Sequence, residues 1–467
     1  MTGATVLGSI RQKLAAGKGF AKKGSKNGFF HILGGNTLVK VISALSVIFF
    51  PRIMGGDYGT FKLADNLFSY LLILNGLGMS NVILRYCAAF DTPEEQRGYF
   101  NFALRFGVIA DAGLLAVFSG ALYLPELFGV QVVRYGAGGI LGMMLLMAFL
   151  DFVFGAAQSF LRTLRENKKY ASVSVLYSAL YALIPFVLAF LFGFAGKSMV
   201  GAVVGRYLAY AVAIAVIFRM LRPLGPYRAK PARLSRPDRV GAVKYSINSL
   251  VASTFSLIMP YNESIVLSVM VTQPLFSDFQ VAQLVPASIQ FLSSSVIVFV
   301  YPYFAKNYRD GRWIYKNTKK IIFGMSAMMG VIAAIGIALS PEIVLIFGSR
   351  FKTGDAVRLM RIFFITFAIN SAVRMPVGNI LAAVGEVRFN VANAIFSSTV
   401  HLGICWTLTA RFGIGGAAYG LLTGYVISSV AAVIYLKYYC NKLTKRRDYT
   451  TLPQSVEDIE ADEKELL

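Results

Sequence analysis

The chain has 467 residues, and its 56% hydrophobic content exceeds the roughly 45–50% apolar usage of a soluble domain, so a soluble fold is excluded. Its net charge of +23 would point a soluble protein toward nucleic acid, but in a membrane protein it reflects basic loops, and no nucleic-acid partner is expected. Strand-period alternation is absent, which argues against an outer-membrane barrel, and Cys87, Cys405 and Cys440 are too scattered for a disulfide framework or a metal site.

Residues 1–29 lack a signal peptide's apolar core, being interrupted by Arg11, Lys13 and Lys18, and read as a basic cytoplasmic arm resting Leu7, Ile10 and Leu14 on anionic lipid. About twelve stretches then follow that are long enough to cross a bilayer, which takes roughly 20 apolar residues. The first, 30–50, carries Lys40 on one face with Asn36 and Ser43; the second is 63–84. The third, 106–124, contains Asp111, and the fourth, 136–160, begins a stripe of Asp151, Gly155, Gln158 and Arg162. The fifth and sixth, 170–194 and 199–218, carry Pro185 and Arg206. Residues 219–244 are rich in Pro and Arg and form the longest cytoplasmic connection.

The second half repeats the pattern. The seventh span, 245–271, has Ser246, Ser249, Ser253, Ser256, Pro260 and Glu263 along one face, and the eighth, 279–304, has Gln283, Ala287, Gln290 and Ser294. The ninth is 321–339; the tenth, 362–384, aligns Asn370, Arg374 and Gly378; the eleventh, 390–410, aligns Asn390, Asn393, Ser397 and His401; the twelfth is 416–436. The tail, 437–467, ends acidic and without aromatics, as disordered segments do.

These spans leave 34 Lys and Arg on the side of the N-terminus, 9 on the other side and 3 within the membrane, which predicts a multi-pass inner (cytoplasmic) membrane protein with both termini cytoplasmic. A shift of about 215 residues lays the first six spans on the last six, including "RYCAAFDTPEEQRGYFNFALR" from 85 on "YPYFAKNYRDGRWIYKNTKK" from 301. Such parallel repeats predict an all-α integral membrane protein of about 12 transmembrane helices in two six-helix lobes, 30–218 and 245–436, around a central cavity.

An ionisable group at mid-span costs about 2.5–3.5 kcal/mol or more, so it faces protein or water. Several polar faces together favour a water-filled cavity, although small residues at helical spacing also serve close packing. Lys40, Arg206 and Arg374 either face that cavity or form buried pairs with Asp111 or Asp151. His401 is a core histidine or a proton carrier, and Arg85 is a membrane anchor or a first contact for an anion. Pro185, Pro260, Pro286 and Pro376 give the helices places to bend. No cofactor or metal motif is present, and no acidic sugar-nucleotide motif or large outer loop suggests an enzyme.

The stretch "FFPRIMGGDYGTFKLADNLFSYLLILNGLGMSNVILRYCAAF", with Tyr58-Gly59, Leu77-Gly78 and Arg85, resembles the opening of the oligosaccharide and polysaccharide flippases used in O-antigen export. These belong to the multidrug/oligosaccharidyl-lipid/polysaccharide superfamily, and "GIGGAAYG" from Gly413 extends the resemblance toward the C-terminus. The resemblance implies translocation of a polyprenyl-pyrophosphate-linked oligosaccharide from the inner to the outer leaflet for surface polysaccharide biosynthesis, alongside other glycan-assembly proteins and membrane lipids. Arg85, Lys40, Arg206 and Arg374 would then meet pyrophosphate, with Gln283 and Gln290 toward sugar and His401 also among the substrate-binding candidates. Asp111, Asp151 and Glu263 are candidate sites for H⁺ or Na⁺ as coupling ion. The alternative is a cation-coupled exporter of small molecules, a class whose cavities are typically acidic and apolar.

Overall fold

The computed structural model describes residues 48–90, 92–128, 133–258 and 261–449. Lys40, with Asn36 and Ser43, lies outside the described residues, as does Pro260. Every regular element described is helical, as expected of an all-α membrane protein, and eight helices are long and apolar enough to cross a bilayer.

Residues 48–54 pass through the tight turn Gly55–Asp57 into α1 (Tyr58–Ile73), followed by a break at Asn75–Gly78 and α2 (Met79–Val82). The long helices α3 (Pro93–Leu127), α4 (Ala137–Leu145), α5 (Met147–Thr163), α6 (Asn167–Gly193) and α7 (Ser198–Leu221) come next. A short α8 (Gly225–Arg228) leads to α9 (Arg236–Ile258), α10 (Asn262–Met270), α11 (Gln273–Ser288) and α12 (Gln290–Lys306). The chain ends in α13 (Gly311–Ala338), α14 (Ser340–Ile346), α15 (Gly354–Ile369), α16 (Met375–Ala383) and α17 (Val387–Tyr449).

The described residues fall into two compact units: the first is 48–264, Thr272–Gln280 and Ile346–Arg350, and the second is Ile265–Val271, Val281–Leu345 and 351–449. The predicted eighth span is divided into α11 and α12, while residues 259–260, between α9 and α10, lie outside the described residues. Pro286 weakens the last turns of α11, three residues before the break at Ile289, since its ring leaves no N–H for the helix ladder. Two predicted spans instead share α17, which is broken at Gly413, where φ is +58°.

Apolar faces sort by environment. Phe304, Ile314, Val377, Leu381 and Leu436 form a core in the second unit, whereas Phe323 and Val331 of α13 are 78% and 61% exposed. In a chain this apolar, such exposure marks the face toward lipid. The connection after α7 is pinned to the first unit. Ala232 N donates to Glu94 O at 2.9 Å, and the Arg97 guanidinium stacks 3.8 Å over the Tyr227 ring.

Candidate functional site

The first unit's polar centre depends on how closely α6 and α7 approach. In "GAVVG" of α7, a Cβ on Gly205 would stand 2.4 Å from Pro185 Cα, and one on Gly201 2.3 Å from the Leu188 carbonyl oxygen. Only glycine permits that contact, and the fully buried Ala202, Ala209 and Ala213 extend it. Pro185 suits the same face, because its backbone nitrogen needs no hydrogen-bond partner. Arg206 and Tyr210, one turn apart on α7, are thereby pressed against Tyr177 and Tyr181 of α6. The Tyr177–Tyr210 and Tyr181–Tyr210 ring centroids are 5.3 and 5.7 Å apart.

Arg206 is only 6% exposed, and its Nη1 donates to Asp65 Oδ1 at 2.5 Å. Lys62 reaches Asp65 Oδ2 at 3.2 Å, and the guanidinium sits 5.0 Å from the Phe61 ring centroid and 5.3 Å from that of Tyr181. This corrects the expectation that Arg206 would pair with Asp111 or Asp151 if it paired at all. Both of those carboxylates are engaged elsewhere.

They flank the break that follows α1. Asn75 Nδ2 and Tyr210 Oη each donate to Asp151, both at 2.8 Å, and the Gly76 amide donates to Asp111 Oδ1 at 2.6 Å. Asp111 Oδ2 is buried without a hydrogen bond among the described residues. The backbone turns left-handed here, with φ of +57° at Gly76, +45° at Leu77 and +77° at Gly78. A Cβ on Gly76 would lie 2.1 Å from Phe152, so both the torsion and the space require glycine. The seventh-span stripe packs onto the same break: Ser246 Oγ donates to the Leu77 carbonyl, and Asn81 Nδ2 donates to Ser249 Oγ at 2.8 Å. These two serines bond to protein rather than standing free toward water.

Other predicted residues are placed as follows. Arg85 is exposed in a wide helical turn, its guanidinium 4.4 Å from the Tyr245 ring centroid and 5.7 Å from that of Tyr86. Glu263 is fully buried in the first turn of α10, beside Ser264, which accepts from Asn66 Nδ2 at 2.7 Å and Gln280 Nε2 at 3.1 Å. Gln283 is half-buried on α11.

In the second unit the polar faces of three predicted spans join into one string. Asn370 Nδ2 donates to Gln290 Oε1 at 2.8 Å, and Arg374 Nη1 donates to Asn370 Oδ1 at 3.4 Å. Arg374 Nε then donates to Ser428 Oγ at 3.0 Å, Asn393 Nδ2 to the same hydroxyl at 3.1 Å, and Ser397 Oγ to Asn393 Oδ1 at 3.2 Å. Asn370–Arg374 is a wide turn between α15 and α16, which widens the backbone where the arginine enters. Arg374 makes no ion pair among the described residues. His401 is completely buried, with neither ring nitrogen hydrogen-bonded among the described residues.

Sequence reasoning missed Asp65, Asn75, Gly76, Tyr210 and Ser428. Two signals were available: the GxxxG pattern at Gly201 and Gly205, and the Asn75-Gly76-Leu77-Gly78 run inside an apolar span. The class that fold and site define is a helical membrane protein with a helix broken between two carboxylates.

Comparison with known proteins narrows that class. No family model and no curated protein matches the sequence. Solved structures do match. An inward-facing multidrug resistance MATE family transporter of the MOP superfamily superposes with a TM-score of 0.64 at 16% identity, covering 90% of this chain and 96% of that one. An outward-facing structure of such a transporter gives 0.58 at 16% identity, with the same coverage. The eukaryotic MATE transporter AtDTX14 gives 0.58 at 14%, covering 91% and 99%. The chain thus has the fold of the MATE transporters and is a multi-pass membrane protein.

Proposed function

We propose that the protein exports small organic molecules across the cell membrane by alternating access, driven by H⁺ or Na⁺. The observation that carries this reading is the pair Asp111 and Asp151 beside the broken helix. Their hydrogen bonds come from a backbone amide, an amide side chain and a phenol, and among the described residues no cation pairs with either. A carboxylate held within a span by neutral donors is stabilised by binding a proton or a sodium ion, and its release couples an ion gradient to conformational change. The fold likeness to multidrug transporters supports the same reading, and the basic loops favour cytoplasmic termini. The test is efflux of an organic cation dye from proteoliposomes under an imposed H⁺ or Na⁺ gradient. Wild type should extrude dye, and Asp151→Asn should lose gradient-driven extrusion while still inserting; gradient-driven extrusion undiminished in Asp151→Asn would overturn the coupling assignment.

A second reading, translocation of a polyprenyl-pyrophosphate-linked oligosaccharide with glycan-assembly partners, is favoured by one observation. Arg374 is a half-buried cation whose partners among the described residues are neutral, suited to an anion and ill suited to a cation. Arg85, held over tyrosine rings at the membrane edge, would make first contact. Restoration of surface glycan in a strain lacking its oligosaccharide flippase, and its loss with Arg374→Ala, would decide for this reading.

A further inference from the structure

A groove of about 540 Å³ lies in the second unit between the end of α13, the start of α15 and α17. Lys352, Arg358 and Arg361 stand around it, all exposed, and Ile337, Ile365 and Tyr419 supply apolar walls. Arg358, Arg361 and Ile365 share one face of α15 through their spacing of three and four residues.

Three ordinary reasons for such a cluster fail. None of the three cations makes an ion pair among the described residues. The helix dipole does not attract them: Lys352 precedes the N-terminus of α15, and Arg358 and Arg361 lie one and two turns inside it, away from the C-terminal end that favours positive charge. They also lie in the loop between the ninth and tenth predicted spans, on the face that the charge distribution leaves poor in Lys and Arg. Four of that face's 9 basic residues fall within 350–361, which the rule concentrating such residues in cytoplasmic loops does not explain.

We propose that this groove binds an anionic phospholipid of the leaflet on that face, with its phosphate among Lys352, Arg358 and Arg361 and an acyl chain along Ile337, Ile365 and Tyr419. Charge complementarity selects the headgroup. The walls select a lipid over a soluble anion, because Ile365 and Tyr419 are 43% and 39% exposed and stand with Ile337 around the groove. The proposal is independent of the transported cargo.

A comparable basic groove exists in the first unit, lined by Phe102, Phe106, Arg236, Arg239 and Lys244, but the positive-inside rule accounts for its cations. The experiment therefore uses the full chain carrying Arg236→Gln, Arg239→Gln and Lys244→Gln as its background. Binding of phosphatidylglycerol, phosphatidylcholine and glycerol 3-phosphate is counted by native mass spectrometry from detergent. The background protein should retain phosphatidylglycerol in preference to both other probes. Adding Lys352→Gln, Arg358→Gln and Arg361→Gln should weaken that binding by at least about tenfold, and the single Arg361→Gln should give a smaller loss. Keeping the charge with Arg358→Lys and Arg361→Lys should largely restore it. Unchanged phosphatidylglycerol binding in the triple variant would overturn the proposal, as would equal retention of phosphatidylcholine or equal occupancy by glycerol 3-phosphate.

Discussion

Gly76 and Asp111 are locked together: the Gly76 amide donates to Asp111 Oδ1 at 2.6 Å, and no side chain fits at residue 76 because Phe152 occupies its place. The next residue back, Asn75, holds Asp151. One interruption in a helix therefore positions both carboxylates, and a change there reaches both.

Replacing Gly76 with alanine should cost about 2–4 kcal/mol, from the left-handed torsion and from overpacking against Phe152. Gly113→Ala on α3, where an added Cβ meets nothing within 4 Å, should be neutral or slightly stabilising. Thermal unfolding of both variants in detergent compares them, and similar midpoints would contradict the proposed constraint at the break.

Breaking the Asp65–Arg206 pair should be strongly non-additive. Asp65→Asn leaves a buried guanidinium without its counter-ion, a loss of about 3–5 kcal/mol, whereas Asp65→Asn combined with Arg206→Met should regain most of it. A double-mutant cycle on unfolding temperature reads the coupling; simple additivity would mean that the pair contributes nothing.

Arg374→Met tests a cation retained at a cost to stability. Its partners are neutral, so an apolar side chain of similar length should leave stability unchanged or raise it by about 1 kcal/mol. Under the anionic-cargo reading the same variant loses transport. A large fall in melting temperature would instead make Arg374 a structural residue.

Tyr210→Phe removes one of the two hydrogen bonds to Asp151 while keeping the ring against Tyr177 and Tyr181. Gradient-driven efflux should fall, but less than in Asp151→Asn, with expression preserved. Loss of one such bond to a charged group is worth about 1.5–3 kcal/mol. Efflux as low as in Asp151→Asn, or not reduced at all, would remove Tyr210 from the site.

The second unit was largely legible before any coordinates. Asn370 and Arg374 were assigned to one face, Asn393 and Ser397 to another, and the fold joins these faces through Ser428. Helical periodicity places residues three or four apart on one side regardless of tertiary context, which is why such faces survive folding. The first unit was harder to read. Asp65 lies 141 residues from Arg206, and nothing local to either residue names the other. Ser246 and Ser249 were correctly grouped on a stripe, but their partners proved to be the Leu77 carbonyl and Asn81 rather than water.

The sequence alone determined that the chain crosses the membrane many times as helices, because hydrocarbon tolerates little other backbone structure and apolar composition records that directly. It also determined which side of several helices is polar. Only the tertiary structure decided which charge meets which. Pairing depends on helix approach, and here that approach is set by Gly201 and Gly205 against Pro185 and Leu188 and by the left-handed turn at Gly76. Arg206 therefore has an acid beside it, whereas Arg374, its counterpart in composition, has only neutral partners.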